Sequence, residues 1–304
     1  MAVASNTNFV VRNECPLCRG SAEVVWHESI ADSWIGPYLV QRYRDVSLED
    51  FKDVPYEVRH CPICDFYYQT YVATDTFLEH MYIGEGKETS LKKKRDADIN
   101  RFIGFAREAE RIAVLLARRP HDVTVLEFGA GWGFWSLMAK AYGYQVHGFD
   151  TAPIRVAYAK ENGIHFYTSL KEIESGSFDF VFSDQVLEHI TDPVGALREA
   201  TRCLCPGGLV RLGVPNAGGA DTLLRNSRGR PLKELHPLEH INGFTYRSLV
   251  VCGEAVGLTV LPSLTIARKL IRRVGLTQNA QYLQDAVKHV FSQNSGTLLY
   301  FIKT

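Results

Sequence analysis

A glycine-rich turn between a buried strand and a helix constrains this chain more than any other feature. Val125-Leu126-Glu127-Phe128-Gly129-Ala130-Gly131-Trp132-Gly133 runs an apolar stretch into three glycines, and a helical pattern begins near Phe134. A mostly apolar stretch of this length predicts a buried strand. Glycine lets a ligand approach the backbone closely, at a helix N-terminus that favours negative charge. The spacing is G-x-G-x-G, with Phe134 standing where the dinucleotide fingerprint puts its third glycine. That departure weakens a nicotinamide or flavin reading.

The segments that follow extend the pattern. Gln145–Asp150 reads as a second strand ending in an acid, about twenty residues after the first glycine, where a carboxylate can accept both ribose hydroxyls of an adenosine. A helix over Pro153–Glu161, a short strand around Ile164–Tyr167 and a strand over Ser177–Ser183 come next. A helix near Pro193–Leu204 leads into the turn and strand Cys205–Leu212, and Leu298–Ile302 makes a closing strand. Alternating strands and helices of this length imply a parallel sheet covered by helices on both faces. Before the turn, Phe102, Phe105, Ala106, Ala109, Ile112, Ala113 and Leu116 recur at helical spacing, and Lys92, Lys93, Lys94 and Arg95 form a solvated charge run.

Ahead of this region stand two matching C-P-x-C knuckles, Cys15-Pro16-Leu17-Cys18 and Cys61-Pro62-Ile63-Cys64. Two residues between thiolates let a tight turn aim both sulfurs at one centre, and a second knuckle completes a tetrahedral zinc set. Four thiolates leave no open position, so the expected role is structural. The aromatic stretch between them, with Trp26, Trp34, Tyr38, Tyr43, Phe51 and Tyr56, reads as the module's own core. Cys203, Cys205 and Cys252 read as core residues. An odd total of 7 cysteines, behind an N-terminus with no basic start or apolar run, counts against a disulfide framework and points to the cytoplasm. No stretch approaches the ~18 apolar residues of a membrane span.

At this point several motifs stand in order. VLEFGAGWG, the acid of GFD, FDFVFSDQVLEHITDP, and LCPGGLV followed by VPN resemble the successive motifs of class I S-adenosylmethionine-dependent methyltransferases over roughly residues 90 to 304. The subgroup they resemble includes ubiquinone-biosynthesis O-methyltransferases and related small-molecule enzymes. The N-terminal C-x-x-C pair also resembles deoxysugar C-methyltransferases, whose further C-terminal domain has no counterpart in these 304 residues. The fold implied is α/β, a Rossmann-like, doubly wound, mostly parallel seven-stranded sheet with a small N-terminal zinc-ribbon-like module. Residues 1–75 would form the module and 76–304 the methyltransferase domain, with 76–118 as a helical cover and 214–244 as a substrate or lid loop.

The resemblance implies that Gly129, Gly131 and Gly133 surround the methionine part of S-adenosylmethionine, with Glu127 near its ammonium group. Asp150 would hold the ribose, Thr151 and Leu170 would lie near the adenine, and Gln185 would border the sulfonium. Methyl transfer to a hydroxyl or carbon acid needs a positioned acceptor and a base. Candidate bases are His189 in Leu187-Glu188-His189 and the group His236, Glu239 and His240 in His236-Pro237-Leu238-Glu239-His240, whose Glu-His pair resembles the segment carrying the base in sugar C-methyltransferases. Arg225, Arg228, Arg230 and Lys233 would clamp a phosphate or carboxylate on the acceptor, or simply be solvated.

The expected reaction is methyl transfer to an oxygen or carbon of a small molecule such as a sugar, nucleotide-sugar or natural-product intermediate. The cofactors expected are S-adenosylmethionine and structural zinc. With 34 basic against 34 acidic residues the chain lacks the basic excess of a nucleic-acid binder, so a zinc-assisted RNA methyltransferase is the weaker alternative. A non-catalytic cofactor-binding scaffold is the other. The sequence leaves the oligomeric state open.

Overall fold

The computed structural model describes residues 6–43, 45–82, 91–92, 99–227, 229–274 and 298–304. The chain forms two compact units: Met1–Ser90 with Leu187–Pro193 and Pro215–Val251, and Leu91–Val186 with Val194–Val214 and Cys252–Thr304. Among the described residues no helix is long and apolar enough to cross a membrane.

The second unit is built on seven strands: β1 Thr124–Phe128, β2 Gln145–Phe149, β3 His165–Tyr167, β4 Phe178–Asp184, β5 Leu204–Gly213, β6 Leu258–Val260 and β7 Leu298–Lys303. They lie side by side in the order 3-2-1-4-5-7-6. Pairing is parallel from β3 to β5, and only β7 runs against its neighbours β5 and β6. This is the doubly wound, mostly parallel sheet of seven strands expected from the sequence. Strand β1 is central, with Leu126 opposite His147 on one side and Val181 on the other, and Val125, Leu126 and Phe128 are buried. Burial on both faces is why its sequence is mostly apolar, with the buried Glu127 as the exception.

Each helix buries the face its sequence marks as apolar. In Ile99–Leu116, Ala109, Ile112 and Leu115 are buried in one cluster with Trp135, Phe180 and Phe182. The buried carboxyl of Glu108 on that helix receives the Tyr300 hydroxyl, and Arg111 pairs with Glu108 at 3.1 Å. Trp135, on the helix Phe134–Ala141, is fully buried and stacks on Phe182 at 4.1 Å between ring centroids, with planes 3° apart. Lys92 is exposed; Lys93, Lys94 and Arg95 lie outside the described residues.

In the first unit an antiparallel sheet runs in the order Asn242–Gly243, Phe66–Gln69, Pro55–Cys61, Glu23–Ser29, and a two-stranded ladder joins Phe9–Val11 to Tyr71–Ala73. The edge strand Asn242–Gly243 comes from far along the chain. Tyr43, Phe51 and Tyr56 are buried in the core of this unit, and Trp26, Trp34 and Tyr38 pack partly buried against it. Residues 214–244, read from the sequence as a loop, carry the helix Ala220–Asn226, which starts at left-handed Gly219 (φ 74°) and sends Ala220 and Leu224 into that same core. A short helix fits because its first turn needs only a glycine to begin and one apolar face to bury.

Trp135→Ala removes the largest fully buried ring, and we expect it to cost about 3–5 kcal/mol in urea denaturation followed by circular dichroism. Ile103→Ala, on an exposed position of the helix Ile99–Leu116, should move stability by less than about 0.5 kcal/mol. Equal losses would show that the stacked ring is not the centre of this core.

Candidate functional site

The strand order reverses at β1: its neighbours β2 and β4 are reached by crossovers leading to opposite sides. In open α/β sheets a ligand binds in the crevice outside the carboxyl ends at such a point. Three candidate groups stand there: the glycine turn after β1, Asp150 after β2 and Gln185 after β4.

The three glycines serve different needs. All are left-handed, with φ of 73°, 58° and 66° at Gly129, Gly131 and Gly133. A Cβ at Gly129 would come within 2.5 Å of the Val186 side chain, and one at Gly133 within 2.8 Å of Phe166. Gly131 meets nothing within 4 Å, so its backbone faces open space. It is the glycine placed for close approach by a ligand.

Asp150 is buried and ties the ends of β1 and β2 together. Its carboxylate accepts the amides of Gly131 (2.8 Å) and Ala152 (2.9 Å), and Arg155 Nη1 lies 3.2 Å away. The Ala152 amide opens the helix Pro153–Glu161, so this carboxylate also serves that helix terminus. Glu127 is buried one strand over and accepts from the Ser136 amide (3.0 Å) and hydroxyl (2.6 Å). Burial pushes its carboxyl up to about 8, and the neighbouring Asp184 and Asp150 add to the effect. A cationic group placed beside it would reverse that shift. Ser136 and Arg155 escaped the sequence reading; the helix-opening spacing of Ser136 after the glycines was the available signal.

Gln185 is exposed and left-handed (φ 57°), and its amide donates to Gly213 O at 2.8 Å. A non-glycine residue held in this region costs energy and marks functional turns. Next to it Asp184 pairs with buried Arg211 at 2.6 Å. Thr151 is exposed, whereas Leu170 is buried at the start of the short 3-10 turn Leu170–Glu172.

In the other unit the four knuckle cysteines converge. Cys15 Sγ lies 3.5 Å from Cys64 Sγ, Cys18 Sγ lies 3.5 Å from Cys61 Sγ, and all four sulfurs fall within 4.8 Å of one another. Metal–sulfur bonds of about 2.3 Å in a tetrahedron put sulfurs about 3.8 Å apart, so the cluster fits one tetrahedral ion. Both knuckles turn the same way, each followed by a left-handed residue: Arg19 (φ 60°) and Asp65 (φ 57°). Cys203 and Cys252 are buried, and Cys205 is half-buried.

The same unit gathers the candidate bases. His189 closes the 3-10 turn Leu187–His189 and donates its Nδ1–H to the Glu239 carbonyl at 2.8 Å. That bond fixes the tautomer with the proton on Nδ1, and Nε2 lies 3.9 Å from Glu188 Oε1 on a side chain that is 43% exposed. His240 packs edge-on against it at 4.7 Å between centroids, and its buried Nδ1 has no hydrogen-bond partner. Burial holds the His240 pKa below the ordinary imidazole value. Ligand atoms of Glu188, His189 and His240 also fall within 4.8 Å of one another.

Glu239 is otherwise engaged. Burial opposes its ionisation, but hydrogen bonds from Tyr43 and from Arg42 (2.7 and 2.9 Å) hold its carboxyl below the usual range. His236 donates Nδ1–H to Pro237 O and receives the Tyr38 hydroxyl at Nε2, 2.6 Å away. Arg225, Arg230 and Lys233 are exposed, and Arg228 lies outside the described residues.

Comparisons with known proteins agree with this geometry. A methyltransferase-domain family profile matches residues 98–263. A ubiquinone biosynthesis O-methyltransferase of Xanthomonas axonopodis pv. citri (strain 306) is 32% identical over 117 residues, which is 35% of this chain and 49% of that protein. A probable S-adenosylmethionine-dependent methyltransferase of Mycolicibacterium smegmatis is 29% identical over 166 residues, covering 51% of this chain and 65% of that one. The chain thus spans about half the length of the first of these relatives. The crystal structure of the plantazolicin methyltransferase BamL, bound to a triazolic desmethylPZN analog and SAH, shares the fold with a TM-score of 0.50 and 16% identity over 73% of this chain and 91% of that one. With the family profile covering more than half of its length, this chain belongs to the methyltransferase-domain family, of the class I S-adenosylmethionine-dependent kind.

Proposed function

We propose that the protein transfers a methyl group from S-adenosylmethionine to an oxygen or carbon of a small molecule, and that Cys15, Cys18, Cys61 and Cys64 hold a structural zinc ion. The reading rests above all on the convergence of the open Gly131 backbone, Asp150 and Gln185 at the carboxyl ends of β1, β2 and β4. Asp150 and Asp184 stand at these strand ends, and Glu127 beside them can ionise against a cation, which suits a ligand carrying a sulfonium and an ammonium. Family resemblance assigns Glu127 to the ammonium, Asp150 to the ribose, Thr151 and Leu170 to the adenine, and Gln185 to the sulfonium. Bound there, S-adenosylmethionine supplies a methyl group already attached to a good leaving group.

The chain's own task is then to position the acceptor and take its proton. His189 suits the second role because the Glu239 carbonyl holds its Nδ1–H, which makes Nε2 the basic nitrogen of the ring. His240 packs beside it as a neutral ring. Glu239, held by Arg42 and Tyr43, adjoins His240 and offers its carbonyl to His189. The exposed Arg225, Arg230 and Lys233 suit an acceptor with a phosphate or carboxylate, such as a nucleotide-sugar or another natural-product intermediate. A reducing compartment, the cytoplasm, keeps four such thiols available for a metal.

Calorimetry on zinc-loaded protein should show micromolar binding of S-adenosylmethionine and S-adenosylhomocysteine, weakened at least about tenfold by Asp150→Ala. No binding by the folded wild type would sink the cofactor assignment. Because the Glu127 pKa is raised to about 8, its carboxyl is protonated at neutral pH and must ionise when an ammonium settles beside it. Binding should therefore release a proton below about pH 8, so its heat depends on the buffer's ionisation enthalpy. That dependence should fade above about pH 9 and vanish in Glu127→Gln. With an acceptor found by screening for S-adenosylhomocysteine release, His189→Ala should lower kcat by about 10²–10⁴ and leave cofactor affinity unchanged. An unaltered kcat would remove His189 as the base.

A further inference from the structure

Arg211 has no part in any step above, although it carries a charge into the buried sheet of the second unit. It stands on β5 between Phe182 of β4 and Tyr300 of β7, its register partners on either side. Its guanidinium carbon lies over the Phe182 ring, 4.7 Å from the centroid. Nη1 donates to Asp184 Oδ1 (2.6 Å) and to the Ser183 carbonyl (3.2 Å), while the buried Nε has no hydrogen-bond partner. A buried guanidinium recovers its lost hydration only when its geometry is excellent and its remaining donors are satisfied. Apolar residues of similar volume often serve stability as well or better. By that measure the pair adds little to the core.

What the pair does is grip the end of β4. Ser183 and Asp184 are the last residues of that strand, and Gln185 follows in left-handed backbone (φ 57°). The Gln185 amide donates to Gly213 O (2.8 Å), two residues along β5 from Arg211. Residues 183, 184 and 185 are thus each held from β5, by Arg211 or by Gly213. A non-glycine residue keeps left-handed backbone only where its surroundings over-determine it.

Gly213 supplies a second observation. A Cβ there would lie 2.4 Å from Asp184 Oδ1 and 2.6 Å from Arg211 Nη1. Gly213 is not one of the left-handed glycines, so space and not backbone angle excludes a side chain. The ion pair passes directly over this residue.

We propose that Arg211 is a positioning residue that, through Asp184 and across Gly213, holds Gln185 in the left-handed conformation that the cofactor site uses. The inference rests on the cofactor reading above, in which Gln185 borders the sulfonium. The charge on Arg211 serves the shape of this turn and not the strength of the core. Its planar guanidinium suits the task, because one nitrogen reaches a carboxylate and a carbonyl while the carbon stays over Phe182.

The test uses the whole 304-residue chain, zinc-loaded, with three readouts. These are calorimetric titration with S-adenosylhomocysteine, urea denaturation, and the backbone chemical shifts of residue 185, which report its φ. Arg211→Met combined with Asp184→Leu removes both charges. It should denature at the same urea concentration as wild type or a higher one, and bind at least about tenfold more weakly. Its Gln185 shifts should leave the left-handed range. Because the loss of the 34% exposed Asp184 side chain also bears on binding, two further variants keep it. Gly213→Ala leaves both charges in place and pushes aside only the tips of two flexible side chains. It should still unfold cooperatively, yet bind more weakly and move the Gln185 shifts. Arg211→Lys keeps the charge without the planar group and should move the same shifts in the same direction. Should the double variant fail to fold, Gly213→Ala and Arg211→Lys carry the decision. If both bind like wild type, with or without a change in the Gln185 shifts, the positioning role is overturned and the cofactor reading stands. Folded wild type that binds no S-adenosylhomocysteine would overturn both.

Discussion

The hydrogen bond from the Gly131 amide to Asp150 joins the ends of two neighbouring strands at the point where the sheet reverses direction. Around it, Gly129 and Ala130 both donate to Phe149 O, so the turn after β1 is fastened to the end of β2 at three places. Left-handed backbone at all three glycines makes that fastening possible, and the crowding of Val186 and Phe166 leaves two of them no room for a side chain. With the turn pinned, the helix Phe134–Ala141 has a fixed start, and Glu127 satisfies the otherwise unpaired Ser136 amide in its first turn. Trp135 then locks the helix to β4 through its stack on Phe182. The backbone facing open space at Gly131 is thus the one unfilled element of a rigid frame, as a preorganised binding site requires.

The first unit is organised by a different economy. Its sheet is small, and one edge is completed by Asn242–Gly243. Polar side chains do the joining: Arg12, Gln69 and Asn242 together satisfy carbonyls of Gln69, Leu187, Ile190, His236, His240 and Ile241. Buried carbonyls must find donors, and irregular segments cannot supply them through a ladder. The histidine segments therefore inherit their geometry from side chains that lie far away in sequence. Glu239 illustrates the consequence. A carboxylate beside a histidine reads as a base in one dimension; in the fold it accepts three hydrogen bonds from Arg42 and Tyr43.

Local rules made much of this legible. The apolar run into three glycines, the acid about twenty residues later and the alternation of strands and helices announced a doubly wound parallel sheet, because each signal depends only on neighbours along the chain. The knuckle cysteines were readable for the same reason: two residues of spacing already dictate a turn that brings sulfurs together. Burial of Ala109 and Ile112 followed from helical period alone. The helix Ala220–Asn226 stayed hidden, since seven residues are too few for a period to stand out from the loop around them.

What the sequence could not announce depends on pairings across long stretches of chain. Arg12, Gln69 and Asn242 carried no signal in the sequence, and Tyr38 read as one more core aromatic. Their meaning arises only when segments some 230 positions apart lie side by side, as Arg12 and Asn242 do. The sequence by itself determined the sheet, the glycine turn and the cysteine set, because steric and covalent constraints between near neighbours suffice for each. Tertiary structure alone decided which histidine nitrogen carries the proton, which carboxylate is held by three hydrogen bonds and which cation is buried among neutral acceptors, because hydrogen-bond partners and desolvation are properties of the packed interior.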